Sequence, residues 1–89
     1  MKYRICKDLA FRQLGEHTVI LDTNRNKKVH HLNEFGSFIW KGLEENLAVE
    51  SIVQNALNSY QVTEEKVSKD IENFIKEVLS LNLIEEIEE

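Results

Sequence analysis

Eighty-nine residues, 42% hydrophobic and 30% charged, make one small domain and leave no room for a second. A core of that size encloses no deep cavity of its own, and no apolar run exceeds three residues (Val19-Ile20-Leu21), far below the ~20 that a membrane-spanning helix needs. The net charge of −5 is uneven: residues 1–33 carry seven Lys/Arg against three Asp/Glu and residues 34–89 four against thirteen, a poor basis for non-specific binding to phosphate backbones.

At the amino terminus, Met1-Lys2-Tyr3-Arg4-Ile5-Cys6-Lys7-Asp8 places charges where a signal peptide needs an apolar stretch. Cys6, in a tail or first strand, is the lone cysteine and makes no internal disulfide, so a reduced, cytoplasmic setting is expected. Strands are predicted over Ala10–Leu14 and His17–Asp22, flanking the turn signal Gly15-Glu16. Asp22–Asn26 is a polar loop, and a third strand follows over Lys27–Leu32, short and charged as edge strands often are.

From Asn33 the period changes from two to 3.6. Asn33 is an N-cap with Glu34 in the first turn, and Leu32, Phe35, Ile39 and Leu43 recur at helical spacing until Asn46. A second helix carries Val49, Ile52, Val53, Ala56, Leu57 and Tyr60 on one face. The third opens at Thr63, carries Val67, Ile71, Phe74, Ile75, Val78 and Leu79, and closes at Asn82. Leu83–Ile87 trails off as a short extended or frayed end. The expectation is a single domain over 1–89 with its core at about 10–86 and a solvated acidic tail over 85–89. Its class is α+β: a three-stranded antiparallel sheet followed by a three-helix bundle, β-β-β-α-α-α, winged-helix-like.

Catalytic chemistry has few candidates. Cys6 has no glycine-rich or helix-terminal surroundings to lower its pKa. His30 and His31, adjacent on a strand, point to opposite faces and cannot chelate one ion; His17 and His31 can approach across a hairpin but lack a third ligand. The carboxylate pairs Glu44-Glu45 and Glu64-Glu65 sit at helix ends, and Gly15, Gly36 and Gly42 form no phosphate loop. No enzyme activity, metal or cofactor is therefore expected.

Recognition remains. The third strand, if it is the sheet edge, offers unpaired backbone groups to an incoming peptide strand, and Asp70 flanks the Val67–Ile71–Phe74 stripe of the third helix. A strand laid along that edge drops alternate side chains between strand and helix. Most of the stripe's area is expected to be core packing, since a groove floor is the outer rim of a core.

The run Leu32-Asn33-Glu34-Phe35-Gly36-Ser37-Phe38-Ile39-Trp40-Lys41-Gly42-Leu43 is similar to the LN-x-x-G-x-x-I-W-x-x-L stretch of the PqqD-like family. Val49–Val53, Tyr60, Val67–Ile71, Phe74-Ile75 and Leu83–Glu85 resemble it in type and spacing, so the likeness covers roughly residues 10–86. The resemblance implies a non-catalytic recognition element of ribosomally made, post-translationally modified peptide pathways. Such an element binds the leader segment of a precursor peptide as a strand added to the third β-strand, facing the third helix. It presents the peptide to a modifying enzyme such as a radical S-adenosylmethionine enzyme, a leader peptidase or a cyclase. Carried over by position, the peptide-binding residues are Lys28, Val29, His30, His31 and Leu32 with Val67, Asp70, Ile71 and Phe74. The chain departs from the family in lacking a glycine after the first helix, where Glu44-Glu45-Asn46 stands, and in the glycine-free loop Asp22–Asn26.

Lys27 and Lys28 on the edge would favour a leader carrying acidic residues. Nucleic-acid and membrane partners are not expected, and the chain is a monomer or, since an open edge pairs with its own copy too, a homodimer. The alternative is a winged-helix DNA-binding regulator, opposed by Glu65, Glu72 and Glu77 beside Lys66, Lys69 and Lys76 on the helix that would enter the groove.

Overall fold

The computed structural model describes residues 2–7, 9–22 and 28–87. Five strands and three helices follow in the order β1 (Lys2–Ile5), β2 (Leu9–Leu14), β3 (His17–Asp22), β4 (Val29–Leu32), α1 (Glu34–Glu44), α2 (Val49–Ser59), α3 (Glu64–Ser80) and β5 (Ile84–Ile87). The α+β class and the succession of a three-stranded antiparallel sheet, ordered β2-β3-β4, and three helices stand as expected. Lys27 and the loop 23–26 lie outside the described residues, so the third predicted strand is seen only over Val29–Leu32.

The two ends, read as a tail or first strand and as a short extended or frayed end, are both strands. The amino-terminal segment is strand β1, and the segment read as a trailing end from Leu83 is strand β5. They pair antiparallel, Lys2 opposite Ile87 and Ile5 opposite Ile84, with Arg4 ion-paired to Glu85 across the ribbon. The ribbon is structural rather than a loose tail, because Tyr3, Leu83 and Ile84 are buried in the core cluster. Of the predicted acidic tail over 85–89, Glu85–Ile87 belong to β5; residues 88 and 89 lie outside the described residues.

Pleating sorts the three-stranded sheet into two faces. Thr18, Ile20 and Asp22 of β3 are buried beneath the helices, and Phe11 of β2, opposite Ile20, packs edge-on against Trp40 with ring centroids 5.5 Å apart. Leu14, Leu21 and Val29 show on the outer face.

Helices α1 and α3 begin and end where the sequence says they should. Asn33 Oδ1 accepts the Gly36 N–H at 2.8 Å and Thr63 Oγ1 the Lys66 N–H at 3.2 Å, satisfying first-turn donors. Asn46 and Asn82 take φ of 62° and 61°, the left-handed conformation that stops α1 and α3. At Gly42 a Cβ would stand 2.8 Å from Ile52 Cγ1, so only glycine lets α2 approach α1 this closely. Helix α2 ends one residue before Tyr60, whose ring lies edge-on to Phe35 and Phe38 at 5.7 and 5.4 Å. Among the described residues, no helix is long and apolar enough to cross a membrane.

Candidate functional site

Among the described residues, strand β4 has a neighbour on one side only. The Asp22 N–H donates to the Lys28 carbonyl at 3.0 Å, making those two residues a bonded pair of the antiparallel ladder. Bonded pairs alternate along such a ladder, so His30 (opposite Ile20) and Leu32 (opposite Thr18) also turn their backbone groups to β3. The N–H and C=O of Val29 and His31 therefore point outward along the open edge. Side chains alternate the other way: His30 and Leu32 lean toward the helices with Ile20 and Thr18, and Val29 and His31 lean to the outer face.

Beside that edge runs a groove of about 520 Å³. Val29–Leu32 form one wall; Asp70, Asn73, Phe74 and Glu77 of α3 form the other. Ile39, Val78 and Leu83, all buried, lie at its base. The cap at Asn33 holds the walls in register, since it turns the chain directly from β4 into α1. Ser37 Oγ adds a 3.4 Å bond back to the Leu32 carbonyl. Gly36 completes the base: a Cβ there would meet Phe74 Cε2 at 3.2 Å and Leu32 Cβ at 3.4 Å, so the missing side chain is what lets Phe74 lie against α1.

Of the residues expected to bind peptide, Val29, His30, His31, Leu32, Asp70 and Phe74 line this groove. Three do not. Lys28 is exposed just ahead of β4 and outside the lining, while Val67 (1% exposed) and Ile71 (0%) face the core beneath α3. The reason is rotational: Val67, Ile71, Ile75 and Val78 form the core stripe, and the groove takes the adjoining one. That second stripe is Asp70, Asn73, Phe74, Glu77 and Leu81, at offsets 0, 3, 4, 7 and 11. Asn73, Glu77 and Leu81 were missed, although that spacing was available in the sequence.

Charge on α3 is largely internal. Lys66 Nζ is 3.4 Å from Asp70 Oδ2 and Lys76 Nζ 3.4 Å from Glu72 Oε1, each one helical turn apart. Glu77 makes no ion pair among the described residues.

Away from the groove, Glu34 at the start of α1 titrates above the ordinary glutamate range. Protonated, it donates a hydrogen bond to the Glu16 carboxylate; that bond and the like charge of Glu16 raise it, desolvation adds to this, and His17 partly opposes it. Burial, followed by the charges of Glu34 and Glu16, raises the Tyr60 phenol. Cys6 is half-buried, its N–H bonded to the Leu83 carbonyl at 3.0 Å. His31 stands opposite Val19, two residues from His17 on the same outer face. Among the described residues, no three His, Cys, Asp or Glu side chains are grouped to hold a metal ion.

A second opening of about 500 Å³ lies between α2 and α3, lined by Tyr3, Val53, Ile75 and Leu79. Its walls are helical apart from Tyr3 of β1, which is buried in the core. The groove at β4 is the feature with both a backbone template and an apolar base.

A family model described as Coenzyme PQQ synthesis protein D (PqqD) matches residues 17–84. No curated protein matches the chain. Two solved structures share the fold. One is titled TbiB1 in complex with the TbiA(beta) leader peptide: TM-score 0.89, 24% identity, covering 97% of this chain and 99% of that one. The other is titled lasso peptide synthetase B1 complexed with the leader peptide: TM-score 0.84, 18% identity, covering 94% of this chain and 98% of that one.

Proposed function

The chain belongs to the PqqD family, and from that premise we propose that it is a non-catalytic peptide-binding module. It receives the leader segment of a ribosomally made precursor peptide as an added strand on β4 and presents that peptide to a modifying enzyme. The observation that carries this reading is the open edge of β4 facing α3 across an apolar-based groove. Both similar structures were solved with leader peptides, which supports it.

An incoming strand bonds to the outward N–H and C=O groups of Val29 and His31. Alternate side chains then fall between the strand, where His30 and Leu32 lean inward, and α3, where Phe74 and Asp70 stand. Lys28 contributes at the strand's start. Val67 and Ile71 act from below, by fixing the rotation of α3. Backbone bonds give affinity with little sequence demand, and the groove side chains select. Delivery to a radical S-adenosylmethionine enzyme, a leader peptidase or a cyclase, by a monomer or homodimer in the cytoplasm, completes the proposal. Nothing in the comparisons favours the DNA-binding alternative, and two of the three lysines of α3, Lys66 and Lys76, are ion-paired to carboxylates of the same helix, which weakens their pull on phosphate.

Amide hydrogen exchange tests it. In the free protein the Val29 and His31 amides exchange fast, while those of His30 and Leu32, bonded to β3, are protected. Adding synthetic N-terminal segments of short peptides encoded beside this gene should slow Val29 and His31 selectively and shift Phe74. Unchanged exchange at those two amides under saturating peptide would overturn strand addition. Shifts over 63–79 with duplex DNA instead would favour the regulator.

A further inference from the structure

The groove has a sign as well as a shape. Among the described residues its lining includes two carboxylates, Asp70 and Glu77, two imidazoles, and no lysine or arginine. Lys28, which the sequence suggested would draw acidic ligands, stands outside the lining, and Lys27 lies outside the described residues. The two carboxylates are not equivalent. Asp70 already has Lys66 at 3.4 Å, whereas Glu77 has no cationic partner among the described residues.

Spacing gives Glu77 a specific ligand position. At ~1.5 Å rise per helical residue, Glu77 stands ~4.5 Å along α3 from Phe74, the apolar side chain at the centre of that wall. An added strand presents every second side chain to α3, one per ~6.6 Å. When an apolar residue of that strand sits over Phe74, the next side chain on the same face falls ~2 Å beyond Glu77 along the axis. A lysine or arginine spans that offset easily, and its aliphatic stem covers the exposed Leu81 one turn further on.

Resting on the reading of the groove as a peptide site, we infer that the strand it accepts carries a Lys or Arg two residues from its apolar anchor, paired with Glu77. The cationic residue sets register as well as preference, because a slip by one residue turns it to the opposite face, away from the carboxylate.

The probe is a phage-displayed library of random 12-residue peptides, selected on the full chain and on its Glu77→Gln and Glu77→Lys variants. Glu77 is exposed on the helix surface, so both variants keep the fold, checked by circular dichroism. The wild type should enrich Lys or Arg two positions from an aromatic or aliphatic residue. Glu77→Gln should lose that enrichment, and Glu77→Lys should replace it with Asp or Glu. A selected peptide should bind Glu77→Gln about two- to fivefold more weakly at low salt, the difference shrinking at high salt. The same charge profile in peptides from all three proteins would overturn the pairing and leave the groove reading intact. Enrichment of no peptide by any of them would overturn peptide binding itself, and the pairing with it.

Discussion

The molecule contains two sheets with opposite uses of their edges. In the ribbon, β1 and β5 bring the two ends of the described chain together, and Tyr3, Leu83 and Ile84 lock them into the core. In the three-stranded sheet, β4 is left with one neighbour, and its outward backbone groups at Val29 and His31 face a groove. Both sheets have short strands of similar composition. What separates them is burial: Tyr3 and Ile84 of the ribbon are buried, whereas Val29 and His31 of β4 are exposed and His30 and Leu32 only half-buried. Backbone groups that stability does not need are free to be a template.

The sharpest way to break that contrast is to damage each sheet in turn. Ile84→Ala, at a residue 3% exposed, should cost about 2–5 kcal/mol in urea unfolding and lower peptide binding only as the folded fraction falls. Proline along β4 should do the reverse or the same according to parity. His31→Pro removes an outward N–H that β3 does not use, so it should leave the melting temperature nearly unchanged while weakening peptide binding roughly tenfold. His30→Pro removes a ladder donor opposite Ile20 and should destabilise the sheet outright. Equal melting temperatures for the two proline variants would overturn the assigned hydrogen-bond pattern.

A gentler change sharpens the comparison at the groove itself. Gly36→Ala introduces a methyl 3.2 Å from Phe74 Cε2 and 3.4 Å from Leu32 Cβ, so both walls must give way by a few tenths of an ångström. A stability loss of about 1 kcal/mol is expected, with a change in peptide affinity that Phe74→Ala removes in the double variant.

The smallest effect belongs to pH. Because Glu34 holds its proton more tightly in the folded chain than the ordinary value of 4.5, the native state binds more protons there than the unfolded one. Stability therefore falls as pH rises from that value through the raised one. Glu34→Gln should flatten this part of the stability profile, measured by denaturant titration across it. An unchanged slope would remove Glu16–Glu34 repulsion as its source.

Much of this was legible in the sequence because it is local. Asn33 and Thr63 announce their helices through side chains that reach three residues along the chain, and Asn46 and Asn82 end theirs through a conformation few residues tolerate. The hairpin at Gly15-Glu16 and the 3.6-residue stripes are of the same kind. The pairing of β1 with β5 was not legible: it joins residues 79 to 85 positions apart, and nothing in either four-residue segment names its partner.

The groove falls between these cases. Its strand, with Asp70 and Phe74, could be placed from pattern and resemblance, but Val67 and Ile71 turned inward. An amphipathic helix specifies a buried stripe, yet which flank of that stripe faces β4 depends on how far α3 rotates, and that rotation is set by the elements packed against it, α2 and β5. The amino-acid sequence alone thus determined the elements, their caps and the apolar faces, because each rests on neighbours within a turn or two. Tertiary structure decided which edge stayed open, which stripe of α3 lines the groove and that Asp70 and Glu77 are in the lining while Lys28 is not, because all three depend on packing between segments far apart in the chain.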